Sequence, residues 1–305
     1  IAKPVAWAEG MRRFSPSAIN EYMRCQLLFF YNRVAKIKAP QKQAVIIEPN
    51  VLGSVFHKTA ELFYLDFVEH GNPVITPARL APFLEPAADA SLVFYVRRAM
   101  AEEQVGENVL VEQIVKSFFK QLLRNDSKLE TFKIKGLETP RALTFNVLVN
   151  GAVRQVELCG IIDRMDIVSD PTINDGAETL RIVDYKTNGS MEQALSMDAL
   201  FTPGEKHPHY VLQTFLYALM VAPDVNNMPL MPTLFFVNKY GDKNFLPYIK
   251  YANEPLTDFA PLAQDFKFRL EKLLSEMLDE ATPFKPTSVL QRCENCNYRL
   301  LCYGK

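Results

Sequence analysis

Over the first 130 residues the apolar positions recur at intervals of three and four, the period of a helix buried along one face, and then the period changes to two. Ser15-Pro16 supplies an N-cap followed by proline at the first helical position, and the pattern predicts a helix from there to about Arg33 with Cys25 in its interior. Asn50 is the expected cap of a second helix, Val51 to about His70, closed by Gly71. Two further helical stretches cover about 78–101 and 107–128. Phe132–Leu137, Leu143–Val149 and Val153–Val168 then alternate as strands do, with Asn150-Gly151 as a hairpin turn. A polar turn at 169–178 leads into a strand at Leu180–Lys186 and a helix at about 208–221. Thr233–Val237 and Phe245–Ile249 form an expected strand pair around Tyr240-Gly241-Asp242, and a last long helix covers about 257–280. Helices, a meander, then helix and strand predict an α/β fold with a helical flank. No repeat, low-complexity tract or linker interrupts it, so 1–305 is expected to be a single domain.

Composition changes this picture little. With 48% hydrophobic residues over 305 positions the chain can bury a full core, and no run of about 18 apolar residues suggests a membrane span. The start, Ile1-Ala-Lys-Pro, has no Met and no signal-peptide core, which is read as a cytoplasmic fragment of something longer. Five cysteines, an odd number, do not make a secreted disulfide framework. Charge changes more. The formal net charge is −1, yet residues 11–42 carry seven basic groups against Glu21 alone, and residues 285–305 carry four against Glu294. The two ends therefore hold +9 and the middle −10, an asymmetry that points to polyanion contact.

The candidate chemistry lies in the strands. In Asp184-Tyr185-Lys186 the alternation of side chains puts Asp184 and Lys186 on one face and Tyr185 on the other. Asp163, in Gly160-Ile-Ile-Asp163-Arg164-Met-Asp166, is placed across a hairpin from that pair. Two carboxylates converging at strand ends can hold Mg²⁺ or Mn²⁺, and a neighbouring lysine can orient water or offset charge on a phosphate. The plain alternative is a partly buried salt bridge. His57 and Glu61 share a helix face at i, i+4, as do Gln213 and Tyr217, with His209 one turn earlier. Here the plain alternatives are a core-edge histidine and a polar helix flank.

These segments, taken in order, resemble the PD-(D/E)XK nuclease superfamily, specifically its RecB-like branch. FSPSAINEYMRCQLLFFY (14–31) is similar to the opening of that branch, with Gln26 where proline commonly follows the cysteine. LGSVFHKTAE (52–61) resembles the helix that contributes a histidine, CGIIDRMDIV (159–168) the G-x-x-D-R-x-D strand, IVDYKTN (182–188) the (D/E)-x-K strand, and QTFLYAL (213–219) the Q-x-x-x-Y helix. The resemblance implies a restriction-endonuclease-like core, a central mixed sheet flanked by helices. Residues 14–128 would be its mainly helical part, 129–250 the catalytic core, and 251–305 a C-terminal helix and cysteine-rich tail. It implies His57, Asp163, Asp184 and the Tyr185 carbonyl as metal ligands and Lys186 as the residue that positions or activates water. Gln213 and Tyr217 would support the site and contact the substrate backbone. Glu61 and Asp166 would stand behind the ligands, with Arg164 a structural or phosphate partner.

Cys293-x2-Cys296-x5-Cys302 closes the chain, and a short tail of three thiols needs a fourth, from Cys25 or Cys159. In AddB-type and CRISPR-associated relatives, one cysteine before the core and C-x2-C-x5-C after it bind a 4Fe-4S cluster. The resemblance therefore implies Cys25, Cys293, Cys296 and Cys302 as cluster ligands that staple the helical region to the tail, with Cys159 packing as a small apolar residue. A four-cysteine Zn²⁺ site is the alternative. The expectation is a Mg²⁺- or Mn²⁺-dependent deoxyribonuclease in repair or recombination, an exonuclease on single-stranded ends, attached to or partnered by a helicase-like region. A non-catalytic DNA-binding or scaffolding domain is the competing reading. A redox sensor built on the cysteines would leave the carboxylates unexplained. Tyr22, Phe29, Phe30 and Tyr31, interleaved with the N-terminal basic residues, are expected mainly in the core.

Overall fold

The computed structural model describes residues 1–3, 7, 11–38, 49–106, 108–239 and 248–303. Its frame is a curled six-stranded mixed sheet. Two long strands, β3 (Thr131–Val149) and β4 (Ala152–Ser169), form a hairpin turned by Asn150 and Gly151, both at positive φ. β4 continues antiparallel to β5 (Thr179–Lys186), which pairs parallel with β7 (Leu230–Phe236). Short β1 (Arg12–Phe14) runs parallel to β4, and β2 (Val74–Ile75) edges β3. Between β5 and β7 come β6 (Gln193–Ala194), α7 (Met197–Phe201) and α8 (His209–Val221), the crossover that a parallel pair requires. β6 pairs with β8 (Lys250–Tyr251), and β8 with β9 (Glu254–Pro255), in a small second sheet.

Alternation along β5 and β7 divides the interior in two. Ile182, Leu230 and Leu234 face a core shared with α1 (Pro16–Arg24), α2 (Gln26–Phe29), α8 and α9 (Ala263–Leu278). Val183, Tyr185, Met231 and Phe235 face a second core under α3 (Pro49–Glu69), α4 (Pro77–Leu84), α5 (Asp89–Glu102) and α6 (Val109–Asp126). A parallel strand pair covered on both faces explains why β7 is buried at every position.

Several expectations need correction. The first helix does not run through Cys25. It ends at Arg24, Cys25 is extended (φ −167°, ψ 116°), and α2 restarts at Gln26 and passes into a π turn at Phe30–Val34. The break admits the C-terminal tail: the Leu27 amide donates to the Lys285 carbonyl (3.2 Å), and Gln26 Oε1 accepts from the Lys285 amide (2.9 Å). Asn50 lies inside α3, not ahead of it. The stretch 78–101 is two helices divided by a 3₁₀ turn at Pro86–Ala88, since proline offers no amide to continue the ladder. Conversely, the two strands expected before Asn150 are one, bent at a bulge between Ile134 and Gly136. The strand at 233 begins earlier, at Leu230, whereas Tyr240-Gly241-Asp242 and most of its expected partner lie outside the described residues. Tyr22, Phe29 and Tyr31 are core, as expected: Tyr22 and Phe29 lie in an aromatic group with Trp7, Phe14 and Phe284, and Tyr31 packs against Phe30 and Tyr298. The tail ends in two short helices, α10 (Gln291–Glu294) and α11 (Arg299–Tyr303).

Candidate active site

The β4–β5 register pairs Arg164 with Val183, which sets Asp163 opposite Asp184 on the face shared with Met165 and Ile182. Asp163 Oδ2 accepts the Tyr185 amide at 2.7 Å, and its Oδ1 lies 3.3 Å from His57 Nδ1. His57 reaches it from α3, on the second-core side, with its ring edge-on to Tyr185. From α8, on the opposite side, Gln213 Nε2 donates to Asp184 Oδ1 (3.3 Å) and to Tyr217 Oη (3.2 Å), and Gln213 Oε1 accepts from Lys186 Nζ (3.4 Å). Lys186 Nζ is 2.6 Å from Asp184 Oδ2. The structure thus brings together His57, Asp163, Asp184, Lys186, Gln213 and Tyr217.

Gly160 makes that meeting feasible. A Cβ there would stand 2.8 Å from Tyr217 Cε1, closer than carbon atoms approach, so the first position of the G-x-x-D segment is kept bare for the Tyr217 ring.

Glu138 is the residue that sequence reading missed. It sits on β3 at φ +42°, a left-handed conformation unusual for a side-chain-bearing residue, two positions beyond the bulge. Its neighbours Leu137 and Thr139 pair with Arg164 and Ile162, so Glu138 falls opposite Asp163. His57, Glu138 and Asp163 offer one nitrogen and two carboxylate oxygens within 4.8 Å of one another, a set that can hold a divalent cation. Only an isolated Glu in an otherwise plain strand marked it, with no spacing to the other ligands.

Crowding the acids has electrostatic consequences. Burial, then the nearby Asp163 charge, pushes Glu138 up to about 7. Burial also raises Asp184, to about 6, with Asp163 adding to the rise and Lys186 resisting it. For His57 burial opposes protonation, but Asp163, Asp184 and Glu138 outweigh it and raise the imidazole to about 9. Burial likewise opposes charge on Lys186 and is overcome by Asp184 and Asp163, so its ammonium stays protonated. Asp163 is lowered: its burial is outweighed by His57, Lys186 and the Tyr185 amide.

Four expected neighbours are placed elsewhere or differently. Arg164 and Asp166 point to the opposite face of β4, where Arg164 pairs with Asp126 (2.7 Å) and Asp166 (2.9 Å), and Arg181 with Asp166 (2.8 Å). This buried network lies under Tyr64, Phe132 and Phe235, which sets Asp166 on the face of β4 away from Asp163 and engages Arg164 in buried ion pairs. Glu61 lines the same open cleft as His57 and Glu138, but its ion pair is with Lys58 (2.9 Å). His209 pairs with Glu192 (2.7 Å) and not with Gln213.

At the tail, Cys25, Cys293, Cys296 and Cys302 line one small pocket with Tyr31, Tyr298 and Tyr303, and Cys159 lies apart on β4. Among the described residues no three cysteine sulfurs lie within 4.8 Å of one another. No helix of the described residues is long and apolar enough to cross a membrane.

The family model described as "PD-(D/E)XK nuclease superfamily" matches residues 13–303. No curated protein matches the chain. A solved structure described as "Crystal structure of SSO0001" is similar at 15% identity, covering 84% of this chain and 97% of that one with a TM-score of 0.28, a score too low to argue from.

Proposed function

Since the chain belongs to the PD-(D/E)XK nuclease superfamily, we propose that it hydrolyses phosphodiester bonds of DNA with a divalent cation, Mg²⁺ or Mn²⁺, as an exonuclease on single-stranded ends. The observation that carries this reading is the convergence of His57, Glu138 and Asp163 as cation donors beside the Asp184–Lys186–Gln213 chain. A cation held there would polarise a phosphoryl oxygen and lower the pKa of a bound water. His57, Asp163 and Glu138 would hold it, with Asp184 and the Tyr185 carbonyl as further oxygens. Lys186, kept charged by two carboxylates, is suited to orienting water and offsetting charge on the phosphorane, and not to removing a proton. Gln213 fixes Lys186 and Asp184 relative to each other, and Tyr217 fixes Gln213.

That Cys25, Cys293, Cys296 and Cys302 line one pocket supports a shared four-thiolate site, and a 4Fe-4S cluster bound there would join the helical region to the tail. The branch resemblance further supports a cytoplasmic role in DNA repair or recombination beside a helicase-like partner. The intact polar set disfavours a non-catalytic scaffold.

The test is cleavage of end-labelled and circular single strands with Mn²⁺ and with EDTA. Linear strands should be shortened only with metal, and Asp184→Ala or Lys186→Ala should abolish cleavage while leaving the circular dichroism spectrum unchanged. Full activity in either variant would overturn the assignment, and cut circles would exclude a strict exonuclease. Anaerobically purified protein should be brown; a colourless, zinc-loaded sample would overturn the cluster.

A further inference from the structure

A groove of about 820 Å³ runs from Gln213 along α1 and α2 to the C-terminal tail. Its wall is one face of α1, where Ser17, Asn20, Glu21 and Arg24 recur at three- and four-residue intervals, continued by Leu28 of α2. From Ser17 to Arg24 that face spans about 10 Å at 1.5 Å per residue. Arg292 closes the far end, donating to the Arg24 carbonyl (3.3 Å) and the Gly204 carbonyl (2.6 Å). One arginine immediately precedes Cys25 and the other immediately precedes Cys293, so the chain's two basic ends meet at this point.

Charges in the groove are unequally satisfied. Glu21 is held by Arg33 (2.9 Å), and Glu192 by His209 (2.7 Å) and the Tyr210 amide (2.8 Å), which leaves Glu205 as the one lining acid without an ion pair among the described residues. Arg24, Lys206 and Arg292 have no carboxylate within 4.0 Å among the described residues. Asn20 adds a buried Oδ1 that accepts no hydrogen bond, while its Nδ2 is fixed on the His209 carbonyl (3.0 Å). Leu28 and the exposed Leu195 supply apolar surface between these polar groups.

We propose that Arg24 and Arg292 form a paired phosphate clamp, at the far end of this groove, for the strand whose cleaved end lies at Gln213. This rests on the nuclease reading above and adds the track and the residues that grip it. The Arg292 guanidinium is anchored on the Arg24 backbone, within range of the Arg24 charge, and neither arginine has an ion pair to Glu205; such a pair is suited to a phosphodiester, which Arg can bind through two parallel hydrogen bonds. Burial and then the Arg24 charge hold Arg292 below its ordinary pKa, a repulsion that a bound phosphate would relieve. Asn20 and the leucines would face sugar or base, and strand binding without sequence preference needs no more than such surfaces.

Binding and cleavage separate the two readings. Fluorescence anisotropy of labelled dT₂₀ in EDTA, over a salt series, reads binding alone. Arg24→Gln should lower the log–log salt slope by about 0.7 and weaken binding about fivefold at 0.1 M salt, the effect of one lost single-strand phosphate contact. Arg292→Gln should do the same, Arg24→Lys should restore most of the slope, and Arg98→Gln, outside the groove, should change neither quantity. Mn²⁺-dependent hydrolysis of bis(p-nitrophenyl) phosphate, too small to reach the clamp, should persist in both Gln variants. Unchanged affinity and slope in Arg24→Gln, where an exposed side chain leaves folding intact, would overturn the clamp, as would a wild-type protein that does not bind dT₂₀. Binding without any metal-dependent hydrolysis would instead overturn the nuclease reading and leave the clamp standing.

Discussion

Glu138 shows how a single residue can matter without being visible in the sequence. Its left-handed φ and its place opposite Asp163 come from a bulge, and no apolar pattern signals where a strand takes an extra residue. Asp163, Asp184, Lys186 and His57 were legible because strand alternation and helix spacing place them without knowledge of the sheet. Glu138→Gln keeps the shape and removes the charge. Mn²⁺ affinity measured by calorimetry should fall at least about tenfold, while the free protein should gain stability because a crowded acid is gone. The pH dependence of the metal-free protein follows from the same crowding. Glu138 and Asp184 have folded pKa values of about 7 and 6, and His57 one of about 9, all above their ordinary values. Groups raised on folding add stability that is complete below their unfolded pKa values and is lost as pH rises through the folded ones. In EDTA the unfolding temperature should therefore drop between about pH 5 and 9, against a smaller opposing contribution from Asp163. Mn²⁺ should raise it more at pH 8 than at pH 6, because a cation needs deprotonated ligands. Differential scanning fluorimetry across that range checks both trends.

At the scale of elements, β4 does two jobs on its two faces. Asp163 faces α8, and its chain neighbours Arg164 and Asp166 enter the ion network on the other side. The resemblance set Asp166 behind the ligands and left Arg164 as a structural or phosphate partner, because the sequence does not show that Asp126 and Arg181 come to meet them on the other face. Removing one member of a buried pair costs about 3–5 kcal/mol, and a one-residue slip of β4 would strand all of these charges together. Register is thereby fixed at the point where the site needs it. Gly160 is the matching device toward α8. Gly160→Ala should displace the Tyr217 ring and with it Gln213, lowering cleavage about 10–100-fold while costing only about 1–3 kcal/mol in urea unfolding. A fully active Gly160→Ala enzyme would show that Tyr217 can be moved without consequence. The helix break at Cys25 was also illegible, since its cause is the tail, about 260 residues away in sequence.

Across the whole molecule, the two ends are joined by apolar contact. Phe284 is 2% exposed and packs against Trp7, Tyr22, Phe29 and Phe30. Phe284→Ala should cost about 3–5 kcal/mol in urea denaturation, even with the cysteine site loaded. The near-neutral net charge concealed this meeting of basic ends, because an average over the chain carries no position. A last consequence concerns the two cores. His57 rides on α3 with the second core, while Gln213 and Tyr217 ride on α8 with the first, and the sheet lies between them. The candidate site is thus assembled from two layers that pack independently, and affinity for a cation held there would gauge how well those layers seat on the sheet. Core substitutions far from any ligand, such as those under α5 or α9, would then be read out as weaker metal binding before any loss of secondary structure.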